Sequence, residues 1–369
     1  MKLLLAVFSK KGDFMKKTTD FDILLSSNKW KYTAFSVLFI FLSLLSFIFI
    51  SHLVNTSITS INFKIFTYDL FIKLTVLMLI YFAMDALRLY YILKSIHQNI
   101  EVKYLMKLVF VNMFISGITP LATGGGFVQV YYLIKKGISL GDAVVSTTIR
   151  TAIPIVFFII MTPIVLIVDK DYINLFSNGF SLPIITIGVL IYVAIALVFY
   201  KLLNNIKSIK WFFYKLLKFA IKKRIISKKT FKKVIRIVFK ELDNFIKSIK
   251  KFFHSDSKNI FLSVLFSLLF LFSLFLFPVL IVNDLGYNVS LASIIGIQII
   301  VTFIMYFAPT PGATGIAEGS FAIIFAQFVD KSNILSVIFI WRFFTMYIGV
   351  FIGMLIFFTG IVKSKFSNK

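Results

Sequence analysis

Cysteine is absent from the 369 residues, which excludes disulfides, thiol nucleophiles and thiolate metal sites. Histidine is nearly so: His52, His97 and His254 stand in separate segments with no metal-ligand spacing, so neither a metal nor a cofactor is expected. Charge is sparse as well, at 15% of residues, against 59% apolar and a mean hydropathy of +0.94. Soluble domains carry about a quarter charged residues, so lipid is the expected solvent. Acids are the scarcer sign, 15 against 40 Lys and Arg, for a net charge of +25. That excess could point to nucleic acid, but the basic residues crowd the linkers between apolar runs. Positive-inside bias and attraction to anionic lipid explain such a distribution, and no nucleic-acid partner is expected.

The opening Met1–Phe8 run is too short for a signal-peptide core and meets Lys10 and Lys11 at once. No cleavage is expected, and Met15 is an alternative start. Residues 1–30 are read as a cytoplasmic segment and 31–361 as one membrane domain. A spanning helix needs about 20 apolar residues. Six runs qualify, at about 31–54, 69–93, 140–168, 182–203, 259–282 and 333–361. Two further apolar stretches, 104–134 and 289–329, are interrupted. The first reads Thr119-Pro120-Leu121-Ala122-Thr123-Gly124 and the second Thr310-Pro311-Gly312-Ala313-Thr314-Gly315, with five of six positions matching. Proline removes a helix donor and glycine favours irregular backbone, so each motif should break its helix near mid-membrane in a glycine-rich turn, with Gly125 and Gly126 extending the first. Arg150 and Arg342 occupy matching places in the next spans, which points to two repeats, about 31–168 and 182–361.

Loop charge sets the orientation. The 204–258 insert is dense in Lys and Arg and holds only Glu241, Asp243 and Asp256 as acids, which assigns it to the cytoplasm. Within it Phe231, Val234, Ile235, Val238, Leu242, Phe245 and Ile249 recur at helical spacing among lysines, the pattern of a basic amphipathic surface helix. Tracing from this insert, the first interrupted stretch begins and ends inside, at Lys103 and Lys135-Lys136, and the second begins and ends outside, at Asp284 and Asp330. The halves are therefore inverted, both termini and the 362–369 tail are cytoplasmic, and broken helices should meet near the midplane, as in many alternating-access transporters.

A helix restarting inside the membrane offers unpaired N–H groups that suit an anion such as a lipid phosphate; close helix packing through Gly and Ala is the plainer alternative. Glu318, Arg150 and Arg342 are ionisable groups in spans and functional candidates by default, or else they neutralise one another. Glu318 has Phe127, not an acid, as its counterpart in the first repeat. Gln129 and Tyr131 sit on the first restarted helix. Asp85 and Arg88, three apart on one helix face, read as a self-contained structural ion pair near the cytoplasmic end. No catalytic constellation is evident.

These motifs resemble the lysylphosphatidylglycerol synthase transmembrane-region family, the flippase-like membrane proteins. The resemblance is carried by Thr119-Pro120, Gly124 to Gly126, Gln129, Tyr131, Leu133, Lys135 and Gly137, then by Pro309-Thr310-Pro311-Gly312, Gly315, Glu318 and Arg342. It implies an all-α membrane fold of about eight spans in two inverted repeats, each with a re-entrant hairpin, used in lipid translocation. Two departures stand out: Ile149 replaces the acid that often precedes the first arginine, and the chain ends at Lys369, leaving no room for an aminoacyl-transferase domain. The expectation is a non-enzymatic translocator of a phospholipid or lipid-linked substrate in a cell inner or plasma membrane, with phosphate-headed lipids as partners and a homo-oligomer or a lipid-synthesis enzyme as further partner candidates. The alternatives are a membrane enzyme or accessory subunit in lipid-linked glycan or envelope synthesis, and a carrier of a small anion.

Overall fold

The computed structural model describes residues 29–53, 66–168, 228–326 and 328–366, with isolated helical positions between 190 and 218. The expected 182–203 span, the N-terminal segment and much of the basic insert lie outside the described residues. Every regular element among the described residues is a helix. Four are long and apolar enough to cross a bilayer: α2 (Tyr68–Ser95), α5 (Leu140–Val168), α7 (Ser257–Asp284) and the continuous run from Lys331 to Thr359. The last comprises α10 (Lys331–Arg342), a π-helical turn at Phe343–Tyr347, and α11 (Ile348–Phe366). The first helix, α1 (Lys29–Leu53), contributes a shorter apolar stretch, Ser36–His52. Large apolar side chains such as Leu44, Phe49, Val76, Leu79 and Ile160 face outward, a surface that lipid can cover and water cannot. The chain is an all-α, multi-pass membrane protein.

The interrupted stretches fold as hairpins. In the first, α3 (Val102–Ile118) stops at Thr119, a single turn spans Pro120–Ala122, and α4 (Thr123–Lys135) packs back along α3. In the second, α8 (Leu291–Met305) ends well before its proline, a turn spans Pro311–Ala313, and α9 (Ile316–Phe325) returns. The hairpins enter from opposite ends of α2. At the Tyr68 end, Thr67 and Lys73 bond Asp284 at 3.0 and 3.3 Å, and the Tyr287 hydroxyl donates to Asp330 at 2.8 Å, which gathers the mouth of the second hairpin. At the Ser95 end, Gln98 donates to Asp142 at 3.0 Å and the Tyr104 hydroxyl to the Tyr132 carbonyl at 2.8 Å, which gathers the mouth of the first.

The tips of the two hairpins touch. A Cβ built on Gly312 would lie 3.3 Å from the Gly117 carbonyl oxygen and collide with Met346, so glycine is what lets the second tip seat on the first. The glycines of the first motif behave differently from the expected turn. Gly124, Gly125 and Gly126 are helical, inside α4, and the left-handed residues of that tip are Leu121 (φ 53°) and Ala122 (φ 51°). A Cβ on Gly125 would strike Ser116 and Asn112 of α3. Gly124 and Gly125 thus serve close helix approach, the plainer of the two readings, whereas a Cβ on Gly126 would meet only Thr147, at 3.7 Å. The second tip keeps its glycines where φ is positive, at Gly312 and Gly315, as glycine's conformational freedom allows.

Elsewhere α2 packs along α7, and α11 along α3. The latter contact is so close that a Cβ on Gly353 would stand 2.0 Å from the Phe110 carbonyl oxygen. The amphipathic helix α6 (Lys228–Phe253) docks its C-terminal half on the start of α5: Gly141 seats under Asn244, and Ser248 donates to Asp142 at 2.6 Å. Ile249 and Phe252 are buried there with Leu93 and Leu105.

Two measurements check this arrangement. Because the chain has no cysteine, single cysteines placed at the exposed Lys135 and Asp330 should react with impermeant thiol reagents from opposite sides of sealed, oriented vesicles; labelling from one side would contradict the opposed hairpins. Gly353→Ala should lower stability in detergent by about 1–3 kcal/mol, the usual range for overpacking. Gly126→Ala, whose nearest neighbour is 3.7 Å away, should leave the melting temperature unchanged or raise it.

Candidate functional site

Each hairpin tip is tied by an arginine from the next helix to a buried carboxylate, but the two ties differ. In the second half the restart of α9 exposes a helix N-terminus inside the membrane, and Glu318 fills it: its Oε2 accepts from the Gly315 N–H at 2.6 Å. This is the acid's half of a capping box, with Glu318 three residues into the helix and favoured by the helix dipole, while Gly315 has no side chain to accept in return. Its other oxygen accepts from Arg342 Nε at 2.6 Å, and Arg342 Nη2 donates to the Gly312 carbonyl at 2.8 Å. Glu318 is fully buried. It is thus an internal anion that closes the turn, and the Gly315 N–H, one of those expected to await a ligand here, is answered by the chain itself.

The first half has Phe127 where the repeat puts Glu318, and Phe127 faces outward. The α4 restart is capped by a neutral group instead, the Thr119 hydroxyl, which accepts from the Gly124 N–H at 3.1 Å. The counter-ion of Arg150 comes from α2: Asp85 accepts from Arg150 Nη2 at 2.8 and 2.6 Å and from Nε at 3.2 Å. Asp85 also accepts from Arg88 Nε at 2.6 Å. The Asp85–Arg88 pair therefore exists but is not self-contained; one carboxylate serves two arginines, and the i, i+3 spacing could not reveal the third partner arriving from α5. Arg150 Nη1 donates to Gln129, whose amide donates to Thr147 at 3.1 Å. Asn112 of α3 joins them in the amide orientation that its neighbours dictate, accepting from Arg150 Nη1 at 2.9 Å and donating to the Gly125 carbonyl at 2.8 Å.

A cavity of about 560 Å³ opens between the tips. Arg88, Arg150 and Arg342 line it, with Gln129, Gly126, Thr310 and Gly312 among the expected residues. The other expected residues stand back from it. Thr119, Gly124 and Gly125 hold the first hairpin together. Pro120 and Thr123 are exposed at its tip, with the Thr123 hydroxyl donating to the Pro120 carbonyl. Tyr131 is packed among Val111, Phe114 and Ile115. Pro311, Thr314 and Gly315 build the second turn, where the Thr314 hydroxyl donates to the Pro311 carbonyl at 2.8 Å. No carboxylate is among the described lining residues: Asp85 and Glu318 sit behind their arginines. Counting formal charges among the described residues, Glu318 balances Arg342, whereas Asp85 leaves the pair Arg88 and Arg150 with one positive charge in excess. Arg88 Nη1 is buried without a hydrogen-bond partner among the described residues, and its guanidinium lies 3.8 Å from the centre of the Phe270 ring.

Sequence reasoning passed over several lining residues, among them Asn112, Thr147, Thr302 and Trp341. The signal available was modest: Asn112 is an amide inside an apolar run, a costly placement unless it is partnered.

Both tips lie within a stretch that matches a known family. The model of the lysylphosphatidylglycerol synthase TM region matches residues 33–353. The chain belongs to this family. It is also 27% identical, over 287 residues, to a UPF0104 membrane protein of Archaeoglobus fulgidus, covering 76% of this chain and 83% of that protein. Both hairpins, both ion-pair systems and the cavity fall within the family-matched residues, so the site lies in the family's own membrane region.

Breaking a buried pair by removing one partner costs about 3–5 kcal/mol, because the remaining charge stays behind. Asp85→Asn, which strands two arginines, should therefore unfold in detergent at a markedly lower temperature. Adding Arg88→Met to Asp85→Asn should recover part of that loss by leaving a single unpaired cation. Equal melting of wild type and Asp85→Asn would show that the carboxylate is not what holds the arginines.

Proposed function

We propose that this protein moves a lipid with an anionic, phosphate-type headgroup between leaflets of a cell membrane, through the cavity between the two hairpin tips. One observation carries the reading: among the described residues the cavity wall has three arginines and no carboxylate, and the charge count behind it leaves one positive charge without a counter-ion. An unneutralised guanidinium inside a membrane is costly, and a phosphate, which accepts arginine's planar fork, is a fitting counter-ion.

The wall is also amphiphilic. Met113, Ile155 and Leu274 share it with the arginines, and the lining residues Leu121, Thr151 and Tyr306 are exposed, an opening suited to a headgroup that keeps its acyl chains in lipid. A carrier of a small soluble anion needs the reverse, a cavity shut off from lipid. Opposed hairpins meeting at mid-depth support alternating access. The basic helix α6 lies at the same end of the molecule as Lys135 and Lys136, and the acids Asp284 and Asp330 gather at the other; positive-inside bias then puts the first hairpin mouth and α6 in the cytoplasm.

In proteoliposomes the purified protein should render acyl-labelled fluorescent phosphatidylglycerol of the inner leaflet accessible to an external quencher, faster than in protein-free vesicles. Arg88→Gln removes the excess charge and leaves Asp85 with Arg150. It should slow this movement by about tenfold or more, since a hydrogen bond to a charged group contributes about 1.5–3 kcal/mol, while stability is kept or improved. Absence of protein-dependent movement, or full movement in Arg88→Gln, would overturn the reading.

A further inference from the structure

The two sides of the cavity offer different chemistry. On the first-repeat side the strongest polar groups hold one another: Arg150 is held by Asp85, Gln129 and Asn112, and Gln129 by Thr147. On the second-repeat side three polar atoms belonging to lining residues have no hydrogen-bond partner among the described residues: the Thr302 and Thr310 hydroxyls and the Trp341 indole N–H. Thr302 is 5% exposed and Trp341 1%. Buried polar groups are nearly always hydrogen-bonded, and a lipid interior supplies no alternative partner. All three stand close to the second tip in the chain: Thr302 is on the last turn of α8, Thr310 opens the turn, and Trp341 precedes the arginine that holds the Gly312 carbonyl.

The described residues of this wall offer no anion to an ammonium group: none is Asp or Glu, and both oxygens of Asp85 and of Glu318 already accept from arginine or from backbone. A hydroxyl-bearing group, which both donates and accepts, satisfies two threonine hydroxyls and an indole N–H together. A volume of about 560 Å³ lies within the usual range of ligand pockets, about 300–1,000 Å³.

We infer that the headgroup taken by this cavity is an anion joined to a polyol and free of amine, with its phosphate on Arg88 and its hydroxyls on Thr302, Thr310 and the Trp341 N–H. This rests on the anionic-lipid reading above and adds the neutral half of the headgroup. Two sources share the chemistry: a glycerophospholipid with a glycerol or sugar headgroup, and a polyprenyl phosphate bearing a sugar.

The test compares transbilayer movement of four probes by the full chain in proteoliposomes: phosphatidylglycerol, a polyprenyl-phosphate hexose, phosphatidic acid and phosphatidylethanolamine. At least one of the two polyol probes should move fivefold or more faster than phosphatidic acid, with phosphatidylethanolamine slowest, and whichever polyol leads names the source. Thr302→Val, nearly the same shape, should bring the ratio of the favoured polyol probe to phosphatidic acid down to about one, and Trp341→Phe should act in the same direction. If phosphatidic acid moves as fast as both polyols in the wild type, the polyol assignment falls and the anion reading stands. If phosphatidylethanolamine keeps pace with all of them, the anion reading falls as well. A ratio that Thr302→Val leaves unchanged takes this hydroxyl, and with it the assignment, out of recognition.

Discussion

A helix broken inside a bilayer frees backbone groups that water cannot reach, and the rest of this structure depends on how those groups are satisfied. The second tip uses charge: Glu318 accepts from the Gly315 N–H, and Arg342 donates to the Gly312 carbonyl. The two side chains then pair with each other. One ion pair thus closes both ends of a single irregular turn. The first tip uses a neutral cap, Thr119, which accepts from the Gly124 N–H while donating to the Ile115 carbonyl at 2.7 Å. This hydroxyl, three residues ahead of the N-cap Ala122, carries no formal charge, so the arginine in the helix after this hairpin is left to find an anion elsewhere.

The functional asymmetry arises from that difference. Arg342 is spent on its own hairpin, with its carboxylate three residues into α9. Arg150 must reach α2 for Asp85, which already holds Arg88 from one turn away. Among the described residues the two ion-pair systems therefore differ by one formal charge, and the excess falls on the cavity side of the first repeat.

Much of this is legible in the sequence because the constraints are local. Spans at 69–93, 140–168 and 259–282 come from apolar length alone and are realised as α2, α5 and α7. The two breaks come from Thr-Pro motifs in runs otherwise able to be helical. Gly124 to Gly126 mislead because glycine serves both positive φ and close approach, and sequence does not separate the two uses; in α4 the neighbours Ser116 and Asn112 decide for approach. Asp85 and Arg88 mislead for a related reason: an i, i+3 pair can satisfy itself within one helix, and only the packing of α5 against α2 brings Arg150 to the same carboxylate. The role of Gly353 is not legible, since nothing along the chain shows that Phe110 lies across from it.

The π-helical turn at Phe343–Tyr347 completes the comparison of the halves. Arg342 opens it, and Met346 within it touches both tips, being the side chain that a Cβ on Gly312 would strike and one that a Cβ on Gly117 would meet at 3.3 Å. A π turn adds a residue to the local helix and rotates the next segment, so the stretch that carries the second-repeat arginine is also the stretch that presses on the meeting point of the hairpins. On its far side α11 is fixed tightly to α3 through Gly349 and Gly353. The two tips are thus not joined through their own contact alone; α10 and α11 span from the arginine that closes one turn to the helix that leads into the other. Any motion that separates the tips must strain the Arg342 contacts, the π turn or the α3–α11 seam. Arg342, the residue bound at once to Glu318, to the Gly312 carbonyl and to the cavity wall, is where occupation of the cavity would be felt by both hairpins.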